Sequence, residues 1–284
     1  MIPEFQTPGE ALAYFKRKGI DSFSDVEKHK IESFLRMYKE LYADPKEAKP
    51  IYFFRPNLPQ SKLCYGLNNK GQMPRILMLE GSNKCGKSTF GVAWQISMAV
   101  GFFPWLENKG GDWHFDFHPD WKTHREIVKY CGFKGYDEVA EKFKNIKKLV
   151  PKLKVPNENL AVGETYTESV DKDLVPKYMD MIPKDWVPTP KKNQQGVINK
   201  ITLKAGPGKG SVFHFRSYKS TSDEFEGIDI SGSVLWNEPP PQDIVTAVNR
   251  GCLPFDTRVM FAYTALKEAW LYRTYCFKAS RWLI

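Results

Sequence analysis

One stretch constrains this chain more than any other. Residues 75–101 read RILMLEGSNKCGKSTFGVAWQISMAVG. The apolar run at 76–79 has the length and flanks of a buried strand. The segment GSNKCGKST at 81–89 then matches G-x-x-x-x-G-K-[ST] in full, and a helical run at 89–100 follows. Strand, glycine loop and helix in that order form the context in which this motif holds phosphate. Gly81 and Gly86 permit the tight turn. The backbone N–H groups of Ser82, Asn83, Lys84 and Cys85, continuing to Thr89, make a nest for phosphate oxygens. The helix N-terminus adds partial positive charge. Lys87 is expected to reach the β- and γ-phosphates of ATP, and Ser88 to ligate Mg²⁺.

Composition sets looser bounds. The 284 residues allow one large domain or two small ones, and the 42% hydrophobic content supplies a sizeable core. Forty-two basic residues against 33 acidic ones leave a net charge of +9. That excess favours a polyanionic partner and says nothing about fold. The five cysteines, Cys64, Cys85, Cys131, Cys252 and Cys276, are scattered and form no C-x-x-C pair. Neither a disulfide framework nor a zinc ribbon is expected from them. No apolar run reaches spanning length and the N-terminus lacks a signal-peptide pattern, so a soluble intracellular protein is expected, with no membrane partner.

Along the chain, residues 1–50 are expected to form a small helical N-terminal segment. One helix starts near Thr7 and Pro8, and a second starts near Ser24. In residues 51–74, Phe54 can stack on a base and Gln60 can present its amide to an adenine edge. Residues 102–158 form an insertion. Trp105, Trp113, Phe115, Phe117 and Trp121 crowd it, with His114, Asp116, His118, Asp120 and His124 among them. That alternation fits no metal template. Six lysines within 142–154 read either as a solvated helix face or as a phosphate-tracking patch. Strands are expected at 160–162, 201–205, 211–215, 232–236 and 258–263, with GPGKG at 206–210 as a hairpin tip and helices at 171–181 and 268–275. Apolar strands alternating with helices predict an α/β core with a mainly parallel sheet, whose sites lie beyond the carboxyl ends of its strands. Gly81, Glu238 and Thr264 fall at such ends. Glu238 reads either as the acid that orients an attacking water or as a helix N-terminal acid before Pro239. Asn237 stands where an aspartate would support Mg²⁺, and it brings no charge.

Taken in order, these motifs resemble the ATPase half of the large terminase subunit, the DNA-packaging motor of tailed bacteriophages. Phe54, Pro56 and Gln60 resemble its adenine motif. The loop at 81–88 resembles its phosphate loop. FRSY at 215–218 and FEG at 225–227 resemble the segment before its acidic strand, and VLWNEPP at 234–240 resembles that strand. FAYTAL at 261–266, then WLY at 270–272, resembles its coupling motif. The likeness spans roughly residues 50–275. It implies a P-loop NTPase fold of the ASCE/RecA-like class over 51–275, with Glu238, Lys87 and Lys84 catalytic, and Ser88 and Asn237 at the metal. It also implies coupling through Thr264, Ala265 and Leu266, and ATP and Mg²⁺ as cofactors. The implied partners are double-stranded DNA, like subunits in a ring on a portal protein, and a small terminase subunit, in the cytoplasm of a host cell.

Three positions depart from the family. Lys84 stands where arginine is common, which removes a bidentate fork. Asn237 replaces an aspartate. Glu226 occupies a position where relatives carry a trans-acting arginine, which leaves Arg216 and Arg250 as candidates for that finger. The family's C-terminal nuclease has no counterpart in the tail at 276–284, which contains no carboxylate. A motor half without DNA cleavage is expected. Rival readings are another P-loop nucleic-acid motor, such as a helicase, a small-molecule kinase, or a nucleotide-binding module with little turnover.

Overall fold

The computed structural model describes residues 49–54, 73–82, 84–106, 153–225, 227–264 and 269–276, with Tyr14, Phe23, Ser24, 27–29, Pro56, Gln60, Leu63 and Cys64. The aromatic and His/Asp run at 113–124, the lysine patch at 142–152, Glu226, Ala265 and Leu266 lie outside the described residues. The chain divides into two compact units, Met1–Ala48 and Lys49–Ile284. In the first, the Tyr14 and Phe23 rings lie 5.8 Å apart. Ser24 and Glu27 bond reciprocally, Ser24 N to Glu27 Oε2 at 3.2 Å and Glu27 N to Ser24 Oγ at 3.4 Å. This capping box satisfies two orphan donors, so a helix begins near Ser24 as its sequence predicts.

The second unit is an α/β layer built on one mixed seven-stranded sheet. Its strands are β1 (Ile76–Glu80), β2 (Glu158–Gly163), β3 (Pro188–Lys192), β4 (Ile198–Leu203), β5 (Val212–Ser217), β6 (Ser233–Asn237) and β7 (Arg258–Tyr263). Their order is β1-β7-β6-β2-β5-β4-β3. The five strands from β1 to β5 in that order run parallel, and β4 and β3 return antiparallel. β6 and β7 are apolar on both faces, as parallel strands covered by helices on both sides must be. β1 was expected to be buried throughout. Among the described residues it pairs only with β7, so Leu77 and Leu79 are buried while Ile76 stays 38% exposed.

Helix α1 (Lys87–Val100) lies on one face. It is buried almost all round, because the sheet covers one side and the aromatic segments 51–54 and 103–105 cover the other. Gly91 lets it come close, since a methyl group there would meet Leu235 Cδ1 at 2.6 Å. Gln95, fully buried, fixes its depth. Its Nε2 donates to the Leu160 and Ser233 carbonyls at 3.0 and 3.2 Å, and its Oε1 accepts from the Tyr178 hydroxyl. Tyr178 belongs to α2 (Val175–Met181), which continues a π-helical segment, Tyr166–Leu174. That helical run starts five residues earlier than its sequence suggested, because Thr165 Oγ1 caps Glu168 N and Ser169 N at 3.3 and 3.4 Å. On the opposite face, α3 (Gln242–Cys252) sets Ile244, Val245, Val248 and Cys252 against Val162, Trp236 and Phe261. After β7, α4 (Ala269–Leu271) runs into a wide π turn, Tyr272–Cys276. Among the described residues, no helix is long and apolar enough to cross a membrane.

Candidate functional site

Parallel strands that point the same way deliver their carboxyl ends to one edge of the sheet. Here that edge collects Gly81 after β1, Thr264 after β7, Glu238 after β6, Glu164 after β2 and Tyr218 after β5. The loop from β1 to α1 turns on Lys84 at φ 64° and Gly86 at φ 83°. Gly86 serves here because left-handed backbone costs it nothing. Its carbonyl accepts from Phe90 N at 2.9 Å, which closes the first helical turn.

Lys87 is 6% exposed. Its Nζ donates to the Gly81 and Ser82 carbonyls at 2.9 and 2.8 Å and to Thr264 Oγ1 at 3.2 Å. All three acceptors are uncharged, so a phosphate oxygen would replace them at an electrostatic gain. Ser88 Oγ and Asn237 Oδ1 are 2.7 Å apart in a hydrogen bond between α1 and the last residue of β6. As hard, neutral oxygen donors they fit a magnesium ion that keeps several of its waters. They bring no charge of their own. Among the described residues, no cluster of three or more His, Cys, Asp and Glu could hold a metal ion.

Glu238 has φ 80°, a left-handed conformation that costs a non-glycine residue ~1–3 kcal/mol and is commonest at functional sites. Three contacts hold it there. Its N donates to the Ala262 carbonyl at 2.9 Å, its Oε2 accepts from Thr264 N at 3.2 Å, and its carbonyl accepts from the Tyr218 hydroxyl at 2.6 Å. Thr264 therefore touches both Lys87 and Glu238. Tyr218, part of the 215–218 motif, reaches Glu238 through a contact that its sequence does not announce. Burial, and then the charges of Glu238 and Glu164, push its phenol well above its ordinary value. It stays protonated and keeps donating.

The other predicted residues fall in several places. Gln60, 6% exposed, donates from Nε2 to the Gly86 carbonyl at 3.2 Å, so its amide grips the loop itself. Phe54 packs its ring 6.4 Å from Phe90 and 5.3 Å from Trp105, beside α1. Lys84 and Cys85 are exposed on the loop, Ser82 is exposed before it, and Thr89 is half-buried in α1. Asn83 lies outside the described residues. Arg216 sits on β5, half-buried, and donates from Nη1 to the Phe215 carbonyl at 3.0 Å. Arg250 is exposed in the last turn of α3. Since α3 leads back toward the start of β7, this topology carries Arg250 to the edge opposite the loop.

No protein-family model matches this chain, and no curated protein matches it. Among solved structures, the chain is similar to the large terminase ATPase domain of Thermus phage P74-26. Identity is 12% and the TM-score 0.44, covering 79% of this chain and 70% of that one. A point mutant of the same domain matches at 11% identity and TM-score 0.44, covering 79% and 71%.

Proposed function

We propose that this chain is an ATP-hydrolysing motor domain of the large-terminase kind, a P-loop ATPase of the ASCE/RecA-like class that drives double-stranded DNA into a viral procapsid. One observation carries the reading. Lys87, the Ser88–Asn237 pair and Glu238 converge at the carboxyl ends of three neighbouring parallel strands. A single strand, β7, separates the loop strand from the acidic strand, so the two lie two strand spacings apart, roughly 10 Å. That gap suits a phosphoryl group with a water behind it.

Bound ATP would supply the terminal phosphoryl group for transfer to water, with Mg²⁺ neutralising its oxygens. The chain's own residues do the rest. The loop amides and Lys87 bind the phosphates, and Lys84 adds a second cation at the loop's exposed side. Ser88 and Asn237 orient the metal's water shell. Glu238 takes a proton from the attacking water at a carboxylate oxygen. Thr264 touches both Lys87 and Glu238, so movement of Lys87 onto a phosphate loosens one end of the link. This supports a coupling role for Thr264, Ala265 and Leu266. Duplex DNA, like subunits in a ring on a portal protein, a small terminase subunit and a host-cytoplasmic setting follow from the motif resemblance.

The test is phosphate release with and without duplex DNA. A motor shows Mg²⁺-dependent turnover that DNA accelerates. Turnover indifferent to DNA, with phosphate passed to a small acceptor, would replace the motor with a kinase. The uncharged Asn237 favours a second reading, a nucleotide-binding module with little turnover, and tight binding without phosphate release would select it.

A further inference from the structure

The sheet that carries the site also carries a face the site does not use. Cross-strand pairing aligns Lys191 of β3 with Lys200 of β4, and Lys200 with His214 of β5. Ile201, Leu203, Phe213 and Phe215 point into the core beneath α1. Side chains alternate along a strand, so Lys200, Thr202, His214 and Arg216 point to the opposite face. Over β2, β6 and β7 that face is covered by α3 and the segment 225–230. The core beneath this cover takes in no residue of β3, β4 or β5 among the described residues. Among the described residues, the sheet therefore ends in three strands with no helical cover on that face, where Lys200, Thr202, His214 and Arg216 are half-buried.

That face is cationic through Lys191, Lys200 and Arg216. Between 184 and 219 the chain has eight lysines and arginines and one acid, Asp185. Lys191 is exposed, and Lys204 and Lys209 are exposed at the β4–β5 turn. Past the register shift Lys192 pairs with Ile198, which packs on the α1 side, so Lys192 lies on the other face. A carboxylate borders the patch, Glu158 of β2. It is hydrogen-bonded to His214 Nε2 at 2.5 Å, and that bond, chief among several influences, holds its carboxyl below the usual range. Glu158 is therefore engaged at the rim by His214, with Lys200 near enough to act on it. Lysines on adjacent strands stand about 5 Å apart, close enough for flexible ammonium groups to follow a phosphate backbone.

We infer that this face of β3, β4 and β5 is where the phosphate backbone of duplex DNA lies against the chain. The choice of duplex DNA rests on the motor reading, whereas the choice of surface rests on its charge and on the cross-strand pair of Lys191 and Lys200. Edge lysines also keep strands from pairing with other chains, and that role by itself would leave DNA affinity untouched when they are changed.

The experiment uses the full chain and a labelled duplex of random sequence, read by fluorescence anisotropy over a series of salt concentrations. Lys191→Gln with Lys200→Gln removes two phosphate contacts. The slope of log affinity against log salt should fall by about 2, at ~0.9 per contact. Lys191→Glu with Lys200→Glu should weaken binding further. Binding of a fluorescent ATP analogue to the same samples should stay unchanged. An unchanged slope and affinity in the glutamine pair would overturn the assignment, as would wild-type binding to anionic phosphatidylserine vesicles but not to duplex. A slope loss in a chain that binds no ATP analogue would keep the surface and remove the motor reading. If the glutamate pair fails to fold, by circular dichroism, the glutamine pair still decides.

Discussion

The parallel half of the sheet and its antiparallel flank share one hydrogen-bonded layer but differ in cover. β6 and β7 are buried on both faces, between α1 and α3. Their last residues cannot move without disturbing two cores, and the proposed chemistry sits on Asn237 at the end of β6 and on Glu238 and Thr264 just past the strand ends. Among the described residues, β4 meets an apolar core on one face only and β3 is exposed along most of its length, with Lys191 and Lys200 paired where apolar groups would otherwise stand. Double burial gives the precision that a reacting group needs. Single burial leaves a surface on which a long, charged partner can lie without exact register. The strain at Glu238 belongs to the first kind of region, because only an over-determined backbone keeps a glutamate at φ 80°.

Breaking the parallel half should therefore cost turnover, and changing the flank should not. The largest loss is expected from Lys87→Ala, which removes the ammonium that Gly81, Ser82 and Thr264 hold and that the proposed chemistry sets on phosphate. Binding of a fluorescent ATP analogue and phosphate release should both vanish in a protein that melts normally. Normal turnover in the folded variant would move the site elsewhere. Next is Asn237→Asp, which adds the charge the Ser88–Asn237 pair lacks. Changes around a metal's ligands commonly alter affinity by ~10–100-fold. The Mg²⁺ midpoint of ATPase activity should drop within that range. An unchanged midpoint with a lower melting temperature would show Asn237 to be structural. The smallest effect is expected from Tyr218→Phe, which deletes the hydrogen bond to the Glu238 carbonyl. A net hydrogen bond is worth about 0.5–1.5 kcal/mol, so kcat should fall by up to about tenfold while KM holds. Equal changes in both would make Tyr218 a packing residue. In each case the Lys191 and Lys200 glutamine pair, assayed without DNA, serves as the flank's control and should turn over ATP at the wild-type rate.

Much of this was legible in the residues. The glycine loop, the apolar runs of β6 and β7 and the helical run of α1 announce themselves, because burial on both faces demands continuous apolar sequence. The flank is harder to read. β3, Pro188–Lys192, has the sequence PTPKK and carries no apolar signal. It is a strand because β4 offers it a partner, a long-range fact that no local pattern records. The apolar stripe of α3, Ile244, Val245, Val248 and Cys252, was readable but sits behind three consecutive prolines, 239–241, that mask its start. Tyr218 could not be assigned from sequence at all. Its hydroxyl meets a carbonyl twenty residues away, and only the pairing of β5 and β6 on either side of β2 brings the two together. Gln60 shows the same limit, since its amide bonds the Gly86 carbonyl 26 residues on, a contact that no local pattern records.

The most direct test of the site is Glu238→Gln, assayed for nucleotide affinity and phosphate release in one experiment. Glutamine nearly preserves shape and can still accept from Thr264 N, but it takes no proton from water. Affinity for the ATP analogue should be retained and the rate should fall by the ~10²–10⁴-fold that a general base supplies. Turnover within about threefold of wild type, far below that range, would make Glu238 a structural acid at the head of α3 and contradict the account.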